Sequence, residues 1–232
     1  MRVLYIGVSD PASTTRHRAD AMRRLGAQVI HLDPQQAMAH RLHGWPGRLH
    51  YRTGYLLLAS AMKRWLRSEQ KNLNQIDLVW VDSGELLSAG AMQLLKTHHA
   101  PIVLFNHDDP TGTRDRWRFM GLRQAIPLYD LCIVMREPNV AEYKLHGARD
   151  VLRSWMTFDE KKHQLDHTDR PVPLRMQSDV AFIGGNHKQE GRDLFLLQLI
   201  DAGLQLAIWG DGWDRSEHWA MLKPFWRGPS VS

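Results

Sequence analysis

The chain has 232 residues, of which 43% are hydrophobic, and a formal net charge of +5. This size can bury the core of about one and a half ordinary domains, so we expect a globular protein. Its single cysteine excludes a disulfide framework. The longest apolar run, residues 55–62, is too short to cross a bilayer. We therefore predict a cytoplasmic protein without a transmembrane segment. The dispersed arginines fit anionic ligands such as phosphates and also a loose association with nucleic acid or an anionic membrane surface; nucleic acid is not the partner that we expect.

Short apolar runs alternate with helical patterns, which is typical of a parallel sheet covered by helices on both faces. The runs predict strands over 3–8, 28–32, 78–81, 102–106, 131–135 and 151–155. The intervening patterns predict helices over 15–25, 55–66, 85–97, 114–125 and 139–146, the first capped by Ser13 or Thr14. We therefore predict an α/β fold with a doubly wound parallel sheet, forming a Rossmann-like domain at residues 1–157.

The composition changes after this domain. Residues 158–178 are rich in charged residues, histidine and proline, which predicts a linker. Residues 179–232 then predict a strand, a helix, a second strand and a helix over 215–222, which is the start of a second Rossmann-like domain. Because two strands are fewer than a sheet normally has, we expect this domain to be truncated, completed by a partner chain, or packed against the first domain.

Ligands of such sheets bind outside the carboxyl ends of the strands, where loops and helix N-termini meet. The loop after the first strand offers four candidate substrate-binding residues: Asp10, Ser13, Thr14 and Arg16. It lacks the glycine pattern of dinucleotide sites and the lysine of a P-loop. Two interpretations stand, namely a substrate contact and a simple helix cap formed by the hydroxyl groups.

Two further strand ends carry carboxylates. Asp82 and Glu85 are candidates for binding sugar hydroxyls or for general base catalysis; the simpler interpretation is that Ser83 caps the next helix and that Glu85 interacts with its dipole. The strand over 102–106 is followed by the most specific cluster of the chain: Asn106, His107, Asp108 and Asp109. We predict that Asn106 binds substrate and that the other three supply a base. A plain turn and a metal site rank second and third.

The second domain has two permissive loops at successive strand ends. They contain the predicted donor-binding residues: Gly184, Gly185, Asn186, Arg192, Gly210, Asp211, Gly212 and Trp213. Glycine lets a backbone approach a phosphate closely, and arginine binds phosphate through charged hydrogen bonds. Each glycine pair alone is a weak signal, whereas two pairs at successive strand ends are a stronger indication of a phosphate-binding site.

Several short motifs occur in order along nearly the whole chain: Gly7, Asp108-Asp109-Pro110, Tyr129-Asp130, Glu142-Tyr143, Gly147-Ala148, residues 180–184, Arg192 and residues 210–213. This order resembles the spore-maturation CgeB-like glycosyltransferases. The resemblance implies a GT-B fold that needs no metal, with the acceptor on the N-terminal domain and the nucleotide-sugar on the C-terminal one. It also implies that the trio at 107–109 lies in the cleft between the domains. Since GT-B enzymes carry further donor-binding residues later in the C-terminal domain, we expect the isolated chain to be inactive.

We therefore predict a glycosyltransferase of the hexosyltransferase type. It would use a nucleotide-sugar as donor substrate, no cofactor, and a sugar, lipid-linked or protein acceptor. The alternative is a non-catalytic Rossmann-like module that binds a sugar, a nucleotide or a polyanion, as the arginine- and tryptophan-containing segment 114–118 suggests. Steep loss of affinity with ionic strength would distinguish a polyanion site from a sugar site.

Overall fold

The computed structural model describes residues 1–71, 73–112, 117–164, 171–187 and 190–230. The chain divides into two compact units, residues 1–164 and 165–232. Within the described part, the strands of the first unit are β1 (Arg2–Ile6), β2 (Gln28–Leu32), β3 (Leu78–Asp82), β4 (Ile102–Asn106), β5 (Leu131–Val134) and β6 (Val151–Arg153). Its helices are α1 (Thr14–Arg24), α2 (Pro34–Ala37), α3 (Ala39–Leu42), α4 (Gly44–Arg52), α5 (Ala59–Gln70), α6 (Ala89–Leu95), α7 (Met120–Ala125) and α8 (Glu137–Leu145).

The six strands form one sheet in the order β2-β1-β3-β4-β5-β6, and every pair is parallel. The predicted α/β fold with a doubly wound parallel sheet is confirmed, and all six predicted strands are present. Among the described helices, none combines the length and the apolar composition needed to span a bilayer.

Both faces of the sheet are buried, because alternate strand residues enter different cores. On one face Ile6 and Val81 pack in a cluster with Met62 of α5. On the other face Tyr5 packs with Ala19 of α1. This burial on two sides explains why the strands read as continuous apolar runs in the sequence.

The helix predicted over 55–66 begins later, because the chain turns sharply in front of it. Helix α4 ends at Arg52, and Gly54 and Tyr55 then take left-handed conformations with φ of 58° and 57°. A Cβ at position 54 would lie 2.7 Å from the carbonyl oxygen of Trp117, so glycine permits this close packing. Only after this turn does α5 begin.

The helix predicted over 85–97 also begins later, at Ala89, and its N-cap residue is Ser88. The prediction that Ser83 caps it is wrong, since Ser83 lies five residues upstream in a left-handed turn with φ of 68°. Residues Leu86 and Leu87 follow that turn and are buried in the core. Their burial, which needs no helix, produced the misleading pattern.

Two other predicted helices are shorter in the structure. The helix predicted over 114–125 appears as α7, which starts at Met120, while residues 113–116 lie outside the described ranges. The helix predicted over 215–222 is limited to Trp219–Leu222.

The second unit contains a separate sheet. In its described residues the strands are β7 (Val180–Ile183), β8 (Leu206–Trp209) and β9 (Trp226–Gly228), and the helices are α9 (Arg192–Asp201) and α10 (Trp219–Leu222). The three strands are parallel and ordered β7-β8-β9. The third strand was not predicted, because a three-residue strand has no periodicity to read. β8 is the central strand, which pairs with β7 on one side and with β9 on the other.

Candidate functional site

The order of the first sheet reverses between β1 and β3, which creates a crevice at the carboxyl ends of these strands. Gly7 directly follows the last residue of β1 at this point. A Cβ there would lie 2.5 Å from the Thr15 methyl carbon and 3.0 Å from the Asp82 Cβ, so only glycine lets the three segments meet so closely. The base of the crevice is therefore tightly packed next to β1.

Asp82 closes the base of the crevice. Its carboxylate accepts hydrogen bonds from Nε and Nη2 of Arg18 at 2.7 and 2.9 Å, from the Tyr5 hydroxyl at 2.7 Å and from the Thr15 hydroxyl at 3.2 Å. The side chain is 0% exposed. Because all its lone pairs face internal donors, Asp82 fastens α1 to β3, and the expectation that it contacts substrate is not met.

The residues predicted in the first loop build the start of α1. Ser13 caps the helix by accepting from the Arg16 amide at 3.1 Å, as the capping interpretation predicts. Asp10 accepts from the Ala12 amide at 2.8 Å, and Arg16 pairs with Asp20 at 3.0 Å. Thr14 is exposed in the first turn. The contacts of this loop are thus mostly local.

Glu85 lies in the loop after β3 and is buried in an ion pair. Nε and Nη2 of Arg118 lie 2.6 Å from its Oε2, and Nε2 of Gln35 lies 3.3 Å from its Oε1. The side chain is 8% exposed. Burial raises the pKa of Glu85, and the charge of Arg118 opposes that rise. A buried carboxyl group with a perturbed pKa beside a cavity is a candidate for proton exchange with a ligand.

A cavity of about 450 Å³ opens beside Glu85. Its polar lining combines one acid with an amide, two phenols and two guanidinium groups: Gln35, Arg48, Tyr51, Arg52, Tyr55 and Glu85. Burial and the nearby charge of Glu85 raise the pKa of Tyr55 to about 12, so this phenol stays protonated and able to donate. A concave space with convergent polar groups at a strand-end crevice is the usual setting of a small-molecule site.

The loop after β4 meets the same site through its arginine partner. Nη2 of Arg118 lies 3.7 Å from Oδ2 of Asp108, whose side chain is 28% exposed. Asn106 is fully buried, donates to the Ser83 carbonyl at 3.0 Å and accepts from the Asp108 amide at 2.7 Å. Asn106 therefore joins the loops after β3 and β4 and does not face a substrate, which corrects its predicted role.

The other two predicted catalytic residues have different surroundings. Asp109 is held by Nη1 of Arg136 and Nδ2 of Asn139, both at 2.9 Å, so it is tied to α8. Within the described residues, Nδ1 of His107 is buried without a hydrogen-bond partner. Of the predicted trio, Asp108 is the residue in contact with the Glu85–Arg118 pair.

In the second unit the two predicted loops lie side by side, but their glycines serve to pack them together. A Cβ at Gly210, where φ is 140°, would lie 2.2 Å from the Gly184 carbonyl oxygen. That oxygen accepts from the indole N–H of Trp213 at 2.9 Å. Since Trp213 is 1% exposed, it belongs to the core of this unit. The expectation that Trp213 and this close glycine approach serve a donor is therefore corrected.

The remaining predicted donor residues also contact the two loops. Nη1 of Arg192 donates to the Gly185 carbonyl at 2.8 Å, and the Asn186 amide donates to the Asp211 carbonyl at 3.0 Å. Gly212 takes a left-handed conformation with φ of 77°. Arg192 also pairs with Glu190 at 2.5 Å, so its charge is already shared.

The sequence analysis did not predict most of the residues that line the cavity. Arg118 was considered only as part of the segment 114–118 that would suit a polyanion, and Gln35, Arg48 and Arg52 carried no motif. One signal was available: buried acids need a partner, so a predicted carboxylate site at Glu85 implied a nearby cation. Nothing in the sequence specified which of the dispersed arginines supplies it.

No protein-family model and no curated protein sequence matches the chain. Its parallel sheet and strand-end crevice define a Rossmann-like α/β protein, and solved structures share this fold.

One neighbour is UDP-N-acetylglucosamine 2-epimerase from Rickettsia bellii, with a TM-score of 0.58 and 11% identity, over 100% of this chain and 69% of that one. Another is Arabidopsis thaliana UGT89C1 complexed with UDP-L-rhamnose, with a TM-score of 0.46 and 13% identity, over 99% of this chain and 60% of that one. At 11% identity the first similarity concerns the fold alone, and it agrees with the parallel sheet described above.

Proposed function

We propose that the chain is a GT-B-type glycosyltransferase that moves a sugar from a nucleotide-sugar donor to a hydroxyl group of an acceptor. The observation that carries the proposal is the buried Glu85 carboxylate at the floor of the 450 Å³ cavity, at the strand-end crevice. The fold similarity to an enzyme named for UDP-N-acetylglucosamine supports a UDP-sugar as the first donor to test. The CgeB-like motifs in the sequence support the same class.

In the proposed reaction the acceptor lies in the cavity with its hydroxyl near Glu85. The carboxylate takes the hydroxyl proton while the oxygen attacks the anomeric carbon, and the bond from that carbon to the nucleotide diphosphate breaks. Arg118 orients Glu85 and Asp108 from its position between them. Asp108 is the second candidate base, since it is the more exposed of the two acids.

The donor side of the proposal is assigned to the second unit. Its strand-end loops supply the Gly185 and Asn186 region, with Arg192 nearby as the charge that would balance a diphosphate. The paired state of Arg192 means that a donor would have to compete with Glu190 for it.

The test measures donor binding by calorimetry and nucleotide diphosphate release by a coupled assay, over a panel of nucleotide-sugars and hydroxylated acceptors. We expect Glu85→Gln and Asp108→Asn to lower turnover, the more important base by about 100-fold or more. The matched control is Glu69→Gln on α5, outside the cavity, which should leave turnover unchanged. Absence of both binding and turnover with every donor would reject the proposal.

A further inference from the structure

The rim of the 450 Å³ cavity carries two arginines that the proposed reaction does not use. Arg48 and Arg52 lie four residues apart on α4, so they share one face of the helix. Both line the cavity and both are exposed. Among the residues that the structure describes, neither has an acidic partner.

The charges of the cavity do not balance. Glu85 is the one acid among its lining residues, and its charge is met by Arg118 at 2.6 Å. The floor is therefore close to neutral, while Arg48 and Arg52 leave the rim positive. Two like charges at this helical spacing also repel each other, which costs the free helix some stability.

Several arginines elsewhere in the same unit pair with carboxylates. On α1, Arg16 and Arg23 share Asp20, at 3.0 and 2.5 Å, and Arg24 pairs with Asp159 at 2.8 Å. The arginines of α1 thus pair with carboxylates, whereas the two arginines of α4 face the cavity. A bound anion would supply the missing negative charge.

We propose that the acceptor of this site carries a phosphate group, which Arg48 and Arg52 bind at the rim while an acceptor hydroxyl faces Glu85 at the floor. Planar guanidinium groups form two parallel hydrogen bonds to phosphate oxygens, which favours phosphate at such a pair. The phenol of Tyr55 also lines the cavity and can donate a hydrogen bond to a hydroxylated acceptor. The acceptor role rests on the proposed function, whereas phosphate binding can be measured independently of it.

The experiment compares the binding of glucose 6-phosphate, glycerol 3-phosphate and glucose to the full chain by calorimetry. We expect the phosphates to bind about tenfold or more tightly than glucose, because hydrogen bonds to charged groups are the stronger ones. The double variant R48Q/R52Q should lose this preference. The matched double variant R64Q/R67Q removes two exposed arginines of α5, outside the cavity, and should keep it.

A second experiment, with lipid vesicles, distinguishes a lipid phosphate from a free phosphate as the ligand. Sedimentation with phosphatidylcholine vesicles that contain phosphatidic acid, retained in R64Q/R67Q and lost in R48Q/R52Q, would assign the site to a lipid phosphate. Binding of the soluble phosphates alone would assign it to a free sugar or polyol phosphate. Both results support the phosphate site.

Equal affinity for glucose and glucose 6-phosphate, without vesicle binding, would overturn the inference while leaving transfer to a neutral acceptor intact. Equal losses in the two double variants would also overturn it, since only total charge would then matter. Arginine-dependent phosphate binding by a chain that neither binds nor turns over any nucleotide-sugar would reject the proposed function and retain the anion site.

Discussion

Arg118 organises the candidate site, because one guanidinium group serves carboxylates from two neighbouring strand ends. It lies 2.6 Å from Glu85 and 3.7 Å from Asp108. Its central carbon also lies 4.7 Å from the ring centre of Phe119 and 5.7 Å from that of Tyr51, so aromatic faces hold the planar group in place. A lysine has one charged nitrogen and could not reproduce these contacts.

Glu85 gives a prediction about pH and stability. Its pKa is raised in the folded protein, first by burial, so folding favours the protonated carboxyl group. The contribution of this group to stability is therefore present at low pH and is lost as the pH rises through the folded-state pKa. Glutamine resembles the protonated form. We expect the free energy of unfolding of the wild type, relative to Glu85→Gln, to fall on going from acidic to neutral pH.

Urea denaturation at a series of pH values measures this difference. The conservative variant Glu69→Gln on α5 serves as the control and should show a smaller pH dependence. A relative stability of the wild type that increases with pH would mean that the charge of Arg118, and not burial, dominates the pKa of Glu85.

Helix α4 owes its position to a contact that only glycine allows. A Cβ on Gly47 would lie 1.9 Å from the carbonyl oxygen of Leu42 at the end of α3. This contact fixes the bend from α3 into α4, and α4 in turn carries the two rim arginines. Gly90 in α6 is also helical, but the nearest atom to its added Cβ is the Ser88 hydroxyl oxygen at 3.9 Å.

These two helical glycines predict opposite effects of the same substitution. Gly47→Ala should destabilise the protein by about 1–3 kcal/mol, since the backbone of α3 must move. Gly90→Ala should stabilise it by about 0.5–1 kcal/mol, because alanine is the better helix former and the space is open. Thermal and urea unfolding of both variants check the signs. Stabilisation by Gly47→Ala would show that the bend is not tight in solution.

At the level of elements, the sequence was sufficient to predict the strands of the first unit, because strands buried on both faces appear as continuous apolar runs. It was insufficient for the start of α6, where Leu86 and Leu87 are buried outside any helix. It was also insufficient for the partners of Glu85, since a contact across 33 residues depends on packing. Gly184 and Gly210 were expected to let the backbone approach a phosphate. In the structure they let the two loops approach each other, since a Cβ at Gly210 would lie 2.2 Å from the Gly184 carbonyl oxygen.

The net charge of +5 concerns the whole molecule and bears on the alternative that the chain binds a polyanion. Many described arginines are neutralised within the fold, including Arg18 by Asp82 and Arg118 by Glu85. Each such pair has zero net charge, so the excess of +5 resides on the other residues, and salt dependence has to separate a polyanion site from a sugar site.

We predict that the affinity for a nucleotide-sugar changes by less than about tenfold between low and physiological salt, because a single diphosphate makes few ionic contacts. Heparin serves as the polyanion for comparison. If heparin binds tightly and its affinity falls by orders of magnitude over the same range, while no nucleotide-sugar binds, the chain is a polyanion-binding module. Titrations at several ionic strengths decide between the two.

The position of β1 between β2 and β3 has a consequence for the order of events during protein synthesis. Strand β2 leaves the ribosome soon after β1, but β3 follows only some 45 residues after β2, and the Arg18–Asp82 pair joins residues 64 apart. One edge of β1 therefore stays unpaired, and Arg18 stays without its acid, while α2 to α5 are being made. A nascent chain at this stage exposes an apolar strand edge. We therefore expect slow translation before β3 to favour aggregation and chaperone binding.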